Sequence, residues 1–171
     1  MVKIRPLRSE DIVPIAEAFA KIGWQKPASQ YEDYLSEQGA GKRWVLVATI
    51  KGSFAGYLTI VWESSYPPFR EAGIPEIVDF NVLPKFQRKG IGTQLMDAAE
   101  EKIAARSSIA GIGVGLTRDY GAAHRLYIKR GYIPDGQGII SNEKFCQYGD
   151  KVVVDDGLKI CFTKQLQIHK K

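Results

Sequence analysis

The apolar positions of this chain change period several times, and each change marks an element. Ile4-Arg5-Pro6-Leu7 starts as a short strand that stops at proline. Ser9-Glu10-Asp11 then offers a cap and first-turn acids for a helix carrying Ile12, Ile15, Ala16, Phe19 and Ile22 at helical spacing, closed by Gly23. Gln30 to Gln38, with Tyr31, Tyr34 and Leu35, predicts a second helix before Gly39-Ala40-Gly41. Trp44 to Ile50 and Phe54 to Trp62 are β-branched and aromatic runs joined by Lys51-Gly52-Ser53, a hairpin signal. Ser64 to Gly73, with Pro67-Pro68, reads as a loop, and Ile74 to Leu83 as a strand ending at Pro84.

From Gly90 the period lengthens again. Ile91, Leu95, Ala98, Ala99 and Ile103 follow helix spacing through good helix formers to about Arg106. Ile109 to Leu116 predicts a buried strand, and Ala122 to Arg130 a compact helix closed by Gly131. Tyr132-Ile133-Pro134 is extended, Gly136 to Gly149 reads as a long polar loop, and Lys151–Val154 and Leu158–Thr163 as two final strands turned at Asp155-Asp156-Gly157. There is no internal repeat, low-complexity tract or linker. Strands and helices that alternate, with hairpins at both ends, predict an α/β (α+β) fold around one mixed, largely antiparallel sheet flanked by helices.

Composition narrows the class. A length of 171 residues predicts a single domain over 1–171, and roughly 70% of such a chain's unfolded surface can be buried without metal or disulfide staples. A hydrophobic fraction of 44% with 25% charged residues is wrong for a disordered chain. No apolar run approaches the roughly 18 residues of a membrane span, and Met1 to Pro6 lacks the apolar stretch of a signal peptide. Cys146 and Cys161 are too few for a disulfide framework, and with two histidines no Cys/His metal site is expected. His124 reads as a solvated helix residue, His169 as part of a basic tail, and Cys161 as packing. A reducing cytoplasm is the expected compartment.

The net charge of +5 and the pI of about 9.1 favour anionic partners. Bases gather at Lys85, Arg88 and Lys89 and at Arg118, Arg125, Lys129 and Arg130, whereas Glu63, Glu71, Glu76 and Asp79 dominate the stretch from 63 to 79. One region suits phosphates and the other a cation. The richest stretch is Val82-Leu83-Pro84-Lys85-Phe86-Gln87-Arg88-Lys89-Gly90-Ile91-Gly92-Thr93, between a strand and a helix. A glycine turn at a helix N-terminus leaves backbone N–H groups unpaired and pointing one way, with the helix dipole behind them. Gly90 and Gly92 would let a phosphate approach the backbone. The Walker pattern is absent, and Leu95 stands where the dinucleotide fingerprint needs its third glycine.

Val82-x-Pro84-x-Phe86-Gln87-Arg88-Lys89-Gly90-Ile91-Gly92 resembles the acyl-CoA pyrophosphate loop of the GNAT superfamily of N-acetyltransferases, whose core pattern is Gln/Arg-x-x-Gly-x-Gly/Ala. Ala123-His-Arg-Leu126-Tyr127-Ile-Lys-Arg-Gly131-Tyr132 resembles the family's Ala-x-x-Leu-Tyr-x-x-x-Gly-Phe/Tyr motif, and Ile4-Arg5-Pro6-Leu7 with Glu10-Asp11-Ile12 its first strand and helix start. The resemblance covers Ile4 to about Asp135. It implies a splayed central strand pair that admits acetyl-CoA as co-substrate, with no metal. Backbone groups of Phe80, Asn81 and Val82 would face the pantetheine, and Arg88, Lys89, Gly90, Ile91, Gly92 and Thr93 the pyrophosphate.

The implied reaction is direct attack of a neutral amine on a thioester, which needs a proton acceptor and a donor for the leaving thiolate. By resemblance Tyr127 is that donor; by spacing alone it belongs to a helical stripe with Ala123, Leu126 and Arg130 that also suits packing. Two positions depart from the family. Gly115 stands where some members carry a glutamate base, and Tyr120 where the family has an asparagine, so a cofactor contact at Tyr120 must differ. Asp79 is the first candidate for the base or amine-binding acid and Glu76 the second. Strand alternation puts Asp79 and Asn81 on one face and Phe80 and Val82 on the other.

An enzyme acetylating a primary amine of a small molecule or peptide is thus one reading. A catalytically idle acyl-CoA-binding or sensing module is another, kept open by the missing acid at Gly115. Neither nucleic acid nor a membrane is an expected partner, since no nucleic-acid-binding motif is present; a homodimer is compatible with the sequence. The acceptor is expected among Trp24–Tyr34, Trp62–Arg70 and 136–149.

Overall fold

The computed structural model describes residues 1–167. In chain order the elements are β1 (Val2–Pro6), α1 (Ile12–Ala20), α2 (Ala28–Gly39), β2 (Arg43–Ile50), β3 (Ser53–Val61), α3 (Pro67–Glu71), β4 (Glu76–Val82), α4 (Ile91–Ala104), β5 (Ile109–Gly115), α5 (Gly121–Lys129), β6 (Ile133–Ser141), β7 (Lys144–Phe145) and β8 (Leu158–Gln165). The strands follow the order β1-β2-β3-β4-β5-β8-β6-β7. The pairs β1–β2, β2–β3, β5–β8, β6–β8 and β6–β7 are antiparallel, and β4–β5 is parallel. The chain forms two compact units, Met1–Trp62 with Val78–Lys102, and Glu63–Ile77 with the chain from Ile103. β4 starts in the second and ends in the first.

In the first unit the β2–β3 hairpin turns on Lys51 and Gly52, with φ of 49° and 80°. Two successive positive-φ residues give a turn whose twist matches the strands. Its core is Leu7, Ile12, Ile15, Phe19, Tyr31, Val45, Val47, Tyr57 and Leu83. Burying a side chain such as Phe19 contributes about 2–3 kcal/mol. The helical stripe read from the sequence is the buried one, except that α1 stops at Ala20 and leaves Ile22 39% exposed beyond it.

In the second unit Tyr66, Phe69, Ile74, Ile140 and Cys161 form the core. Three expectations change here. The stretch expected to be a loop after Ser64 contains α3, which starts at Pro67 because proline's fixed φ suits a first helical turn. The expected polar loop at 136–149 holds most of β6 and all of β7, with an irregularity between Pro134 and Ile139. Lys151–Val154 is no strand, because β8 already has β5 on one side and β6 on the other. Gly111 is required by packing, since a Cβ there would lie 2.4 Å from the Phe69 ring.

Candidate active site

The predicted anion loop follows β4. A single turn of 3-10 helix, Pro84–Phe86, leads to Arg88 at φ 60° and Gly90 at φ 75°. The first α-helical bond is from the Gln94 N–H to the Gly90 carbonyl at 3.1 Å. The amides of Ile91, Gly92 and Thr93 therefore precede the helical ladder, as a first turn requires. Among the described residues beyond its chain neighbours, nothing lies within 4 Å of where a Cβ on Gly90 would stand, so that side of the turn is open. At Gly92 a Cβ would come 3.2 Å from the Phe80 ring. Lys85 and Lys89 stack over Phe86, at 4.9 and 5.6 Å from its centroid, keeping two cations beside the turn. The Val82 carbonyl accepts from Gln87 Nε2 at 3.0 Å. This loop fits a pyrophosphate: open glycine backbone, free amides at the start of a 14-residue helix, and positive side chains.

Asp79 interrupts β4 with φ of 51°, a conformation rare for a residue with a side chain. Its carboxylate accepts from Lys26 Nζ at 2.7 Å, Gln30 Nε2 at 2.9 Å, Tyr34 Oη at 2.9 Å, Tyr57 Oη at 2.5 Å and Asn81 Nδ2 at 2.8 Å. Burial alone would raise its pKa, but the Lys26 charge and these hydrogen bonds outweigh burial and hold it below the usual carboxylate range. Five donors crowd about four lone-pair sites. Lys26, Gln30, Tyr34 and Tyr57 are partners no local pattern reveals, because they lie 22 to 53 residues away in sequence.

Glu76, at the other end of β4, is 3% exposed. Its Oε2 accepts from Ser64 Oγ at 2.5 Å, while among the described residues Oε1 accepts no hydrogen bond. Burial pushes its carboxyl above the usual range, against the lowering effects of Ser64 and Lys159. The two departures from the family pattern explain each other: a Cβ on Gly115 would lie 2.4 Å from the Tyr120 ring. Tyr120 takes the room a glutamate would need, and its hydroxyl donates to Asp156 Oδ1 at 2.8 Å.

Tyr127 is 5% exposed on α5, with its ring 6.0 Å from that of Tyr132. Its hydroxyl makes no hydrogen bond among the described residues, and burial raises its pKa, so it keeps its proton at neutral pH. His124 is not simply solvated. Its Nε2 lies 2.8 Å from the Gly115 carbonyl and its ring meets Phe162 edge-on at 6.1 Å. His169 lies outside the described residues. In the first unit a groove of about 810 Å³ is lined by Ala16, Glu17 and Ala20 of α1 and, from the expected acceptor segment Trp24–Tyr34, by Trp24, Gln25, Lys26 and Pro27. Trp24 stacks on Phe19 with centroids 5.6 Å apart yet stays 41% exposed.

The sequence matches the family model described as acetyltransferase (GNAT) family over residues 10–132. A search of curated proteins finds no match. Among solved structures, an N-acetyltransferase from Staphylococcus aureus Mu50 has 16% identity and a TM-score of 0.72, covering 98% of this chain and 99% of that one. The ribosomal-protein-S18-alanine N-acetyltransferase of Escherichia coli has 18% identity and a TM-score of 0.65, covering 100% and 96%. The yncA protein of Salmonella typhimurium, solved with its cofactor acetyl-CoA, has 19% identity and a TM-score of 0.69, covering 99% and 96%. These structures share the fold, and the family match spans well over half of the sequence. The chain belongs to the GNAT acetyltransferase family.

Proposed function

We propose that this protein is an acetyl-CoA-dependent N-acetyltransferase acting on a primary amine of a small molecule or peptide, in a reducing cytoplasm that suits its two free cysteines. The observation that carries the reading is the open glycine turn before α4, with its unpaired first-turn amides and flanking cations. Acetyl-CoA, when bound, supplies an activated thioester. The amides of Ile91, Gly92 and Thr93, with Arg88, Lys89 and Gly90, hold its pyrophosphate, and the backbone of Phe80, Asn81 and Val82 aligns its pantetheine. Glu76 takes the amine's proton, because burial raises its carboxyl above the usual range and one oxygen accepts no hydrogen bond among the described residues. Asp79 is the poorer base: it is held ionised by its donors and has the lower proton affinity. Tyr127 Oη holds the proton a departing thiolate requires.

The test is release of free thiol from acetyl-CoA across a panel of polyamines, small primary amines and peptides with free α-amino groups, with products weighed by mass spectrometry. Acetylated product from at least one amine is expected. Tight acetyl-CoA binding without product across the panel would instead make the chain an acyl-CoA-binding or sensing module.

A further inference from the structure

Around Glu76 the second unit assembles polar groups that the acetyl-transfer scheme does not yet use. Ser64 Oγ accepts from the Tyr66 N–H at 3.0 Å, which turns its own proton toward Glu76 Oε2. Lys159 on β8 runs over Gly113 of β5: a Cβ there would lie 3.1 Å from Lys159 Cδ and 3.5 Å from Glu76 Oε1. The missing side chain at Gly113 thus leaves one space that the lysine stem and the carboxylate share. Lys159 Nζ donates to Glu143 Oε1 at 3.1 Å. Glu143 is fixed in turn, since Asn142 and Glu143 form the β6–β7 turn with φ of 47° and 64° and the Asn142 N–H donates to the Gly157 carbonyl at 3.0 Å.

We infer that Ser64 and Lys159 are positioning residues for the Glu76 carboxylate, with Glu143 anchoring the lysine, so that Oε2 is tied and Oε1 faces the amine. This rests on Glu76 being the base in the reading above. The hydroxyl and the ammonium stabilise the ionised form, while Glu143 opposes it through like charge. Cys161 also faces this cluster from β8, but burial pushes its thiol up to about 12 and it stays neutral. Asp135 acts on Cys161 and Tyr66. Against burial, Glu76 and Glu143 hold the Lys159 ammonium above its ordinary range, so the cation persists throughout the working pH.

The experiment is a carbon-13 NMR titration of the glutamate side-chain carboxyls in the full chain, with the Glu76 signal assigned by its absence in Glu76→Gln. Lys159→Met and Ser64→Ala should each move the Glu76 midpoint to higher pH by about one pH unit, and Glu143→Gln should move it down. Lys159→Arg should restore the wild-type midpoint, and where Lys159→Met does not fold, Ser64→Ala with Glu143→Gln decides. The acid limb of kcat/KM should follow the same order. Unmoved midpoints in Lys159→Met and Ser64→Ala would overturn the inference. Full turnover in Glu76→Gln would instead overturn Glu76 as base, whatever the titration shows.

Discussion

At Tyr127 a single oxygen separates chemistry from packing. The side chain is buried and its hydroxyl has no hydrogen-bond partner among the described residues, so Tyr127→Phe loses no hydrogen bond and should melt close to the wild-type temperature. Turnover should still fall by roughly 10²-fold with unchanged acetyl-CoA affinity, read by steady-state kinetics and calorimetry. At Asp79 the balance reverses. Asp79→Asn leaves the Lys26 ammonium, 19% exposed, without its counter-charge, and should cost about 3 kcal/mol in denaturant melts. Because the Asp79 pKa is lowered in the folded state, its stabilisation is present above the unfolded carboxyl pKa and is lost as pH falls through the folded value. The wild type should therefore lose its advantage over Asp79→Asn in acid; equal stability at neutral pH would show the ion pair to be worthless. On sequence Asp79 ranks ahead of Glu76 among the acids of this strand, and the proposed scheme reverses that order. Their ranking is set by Lys26, Tyr34 and Tyr57 on one side and by Ser64 and Lys159 on the other, all distant in sequence.

Elements were more legible than side-chain partners. The glycine turn before α4 could be read directly, because its chemistry is local: a positive-φ glycine and the unpaired first turn of a helix. Gly90→Val would put a branched side chain into a left-handed backbone at the open face of that turn, with a strain of about 1–2 kcal/mol. Calorimetry should show acetyl-CoA affinity reduced at least about tenfold with the far-UV spectrum retained; unchanged affinity would move the phosphate site elsewhere. The α1 helix and the β2–β3 hairpin were legible for the same local reasons. Lys151–Val154 was not, although its three valines suit a strand, because strand formation needs an unpaired neighbour and β8 has none to offer. Val153 and Val154 stay 70% and 67% exposed.

For the molecule as a whole, the proposed chemistry and stability oppose each other at Glu76. Its folded pKa is raised, so stability present below the unfolded carboxyl pKa declines as pH rises through the folded value. Glu76→Gln removes that decline while keeping the shape. The variant should melt above the wild type at pH 8 and show no such gain near pH 4, the pattern of a site held ionisable at a cost in stability. A lower melting temperature at pH 8 would mean the charge contributes to the fold.

The most direct measurement compares wild type and Glu76→Gln with acetyl-CoA and the best amine of the panel, reading kcat and, by calorimetry, acetyl-CoA affinity. A loss of at least roughly 10²-fold in kcat with affinity unchanged is the predicted result. Near-normal kcat in Glu76→Gln would contradict it and remove Glu76 from the chemistry.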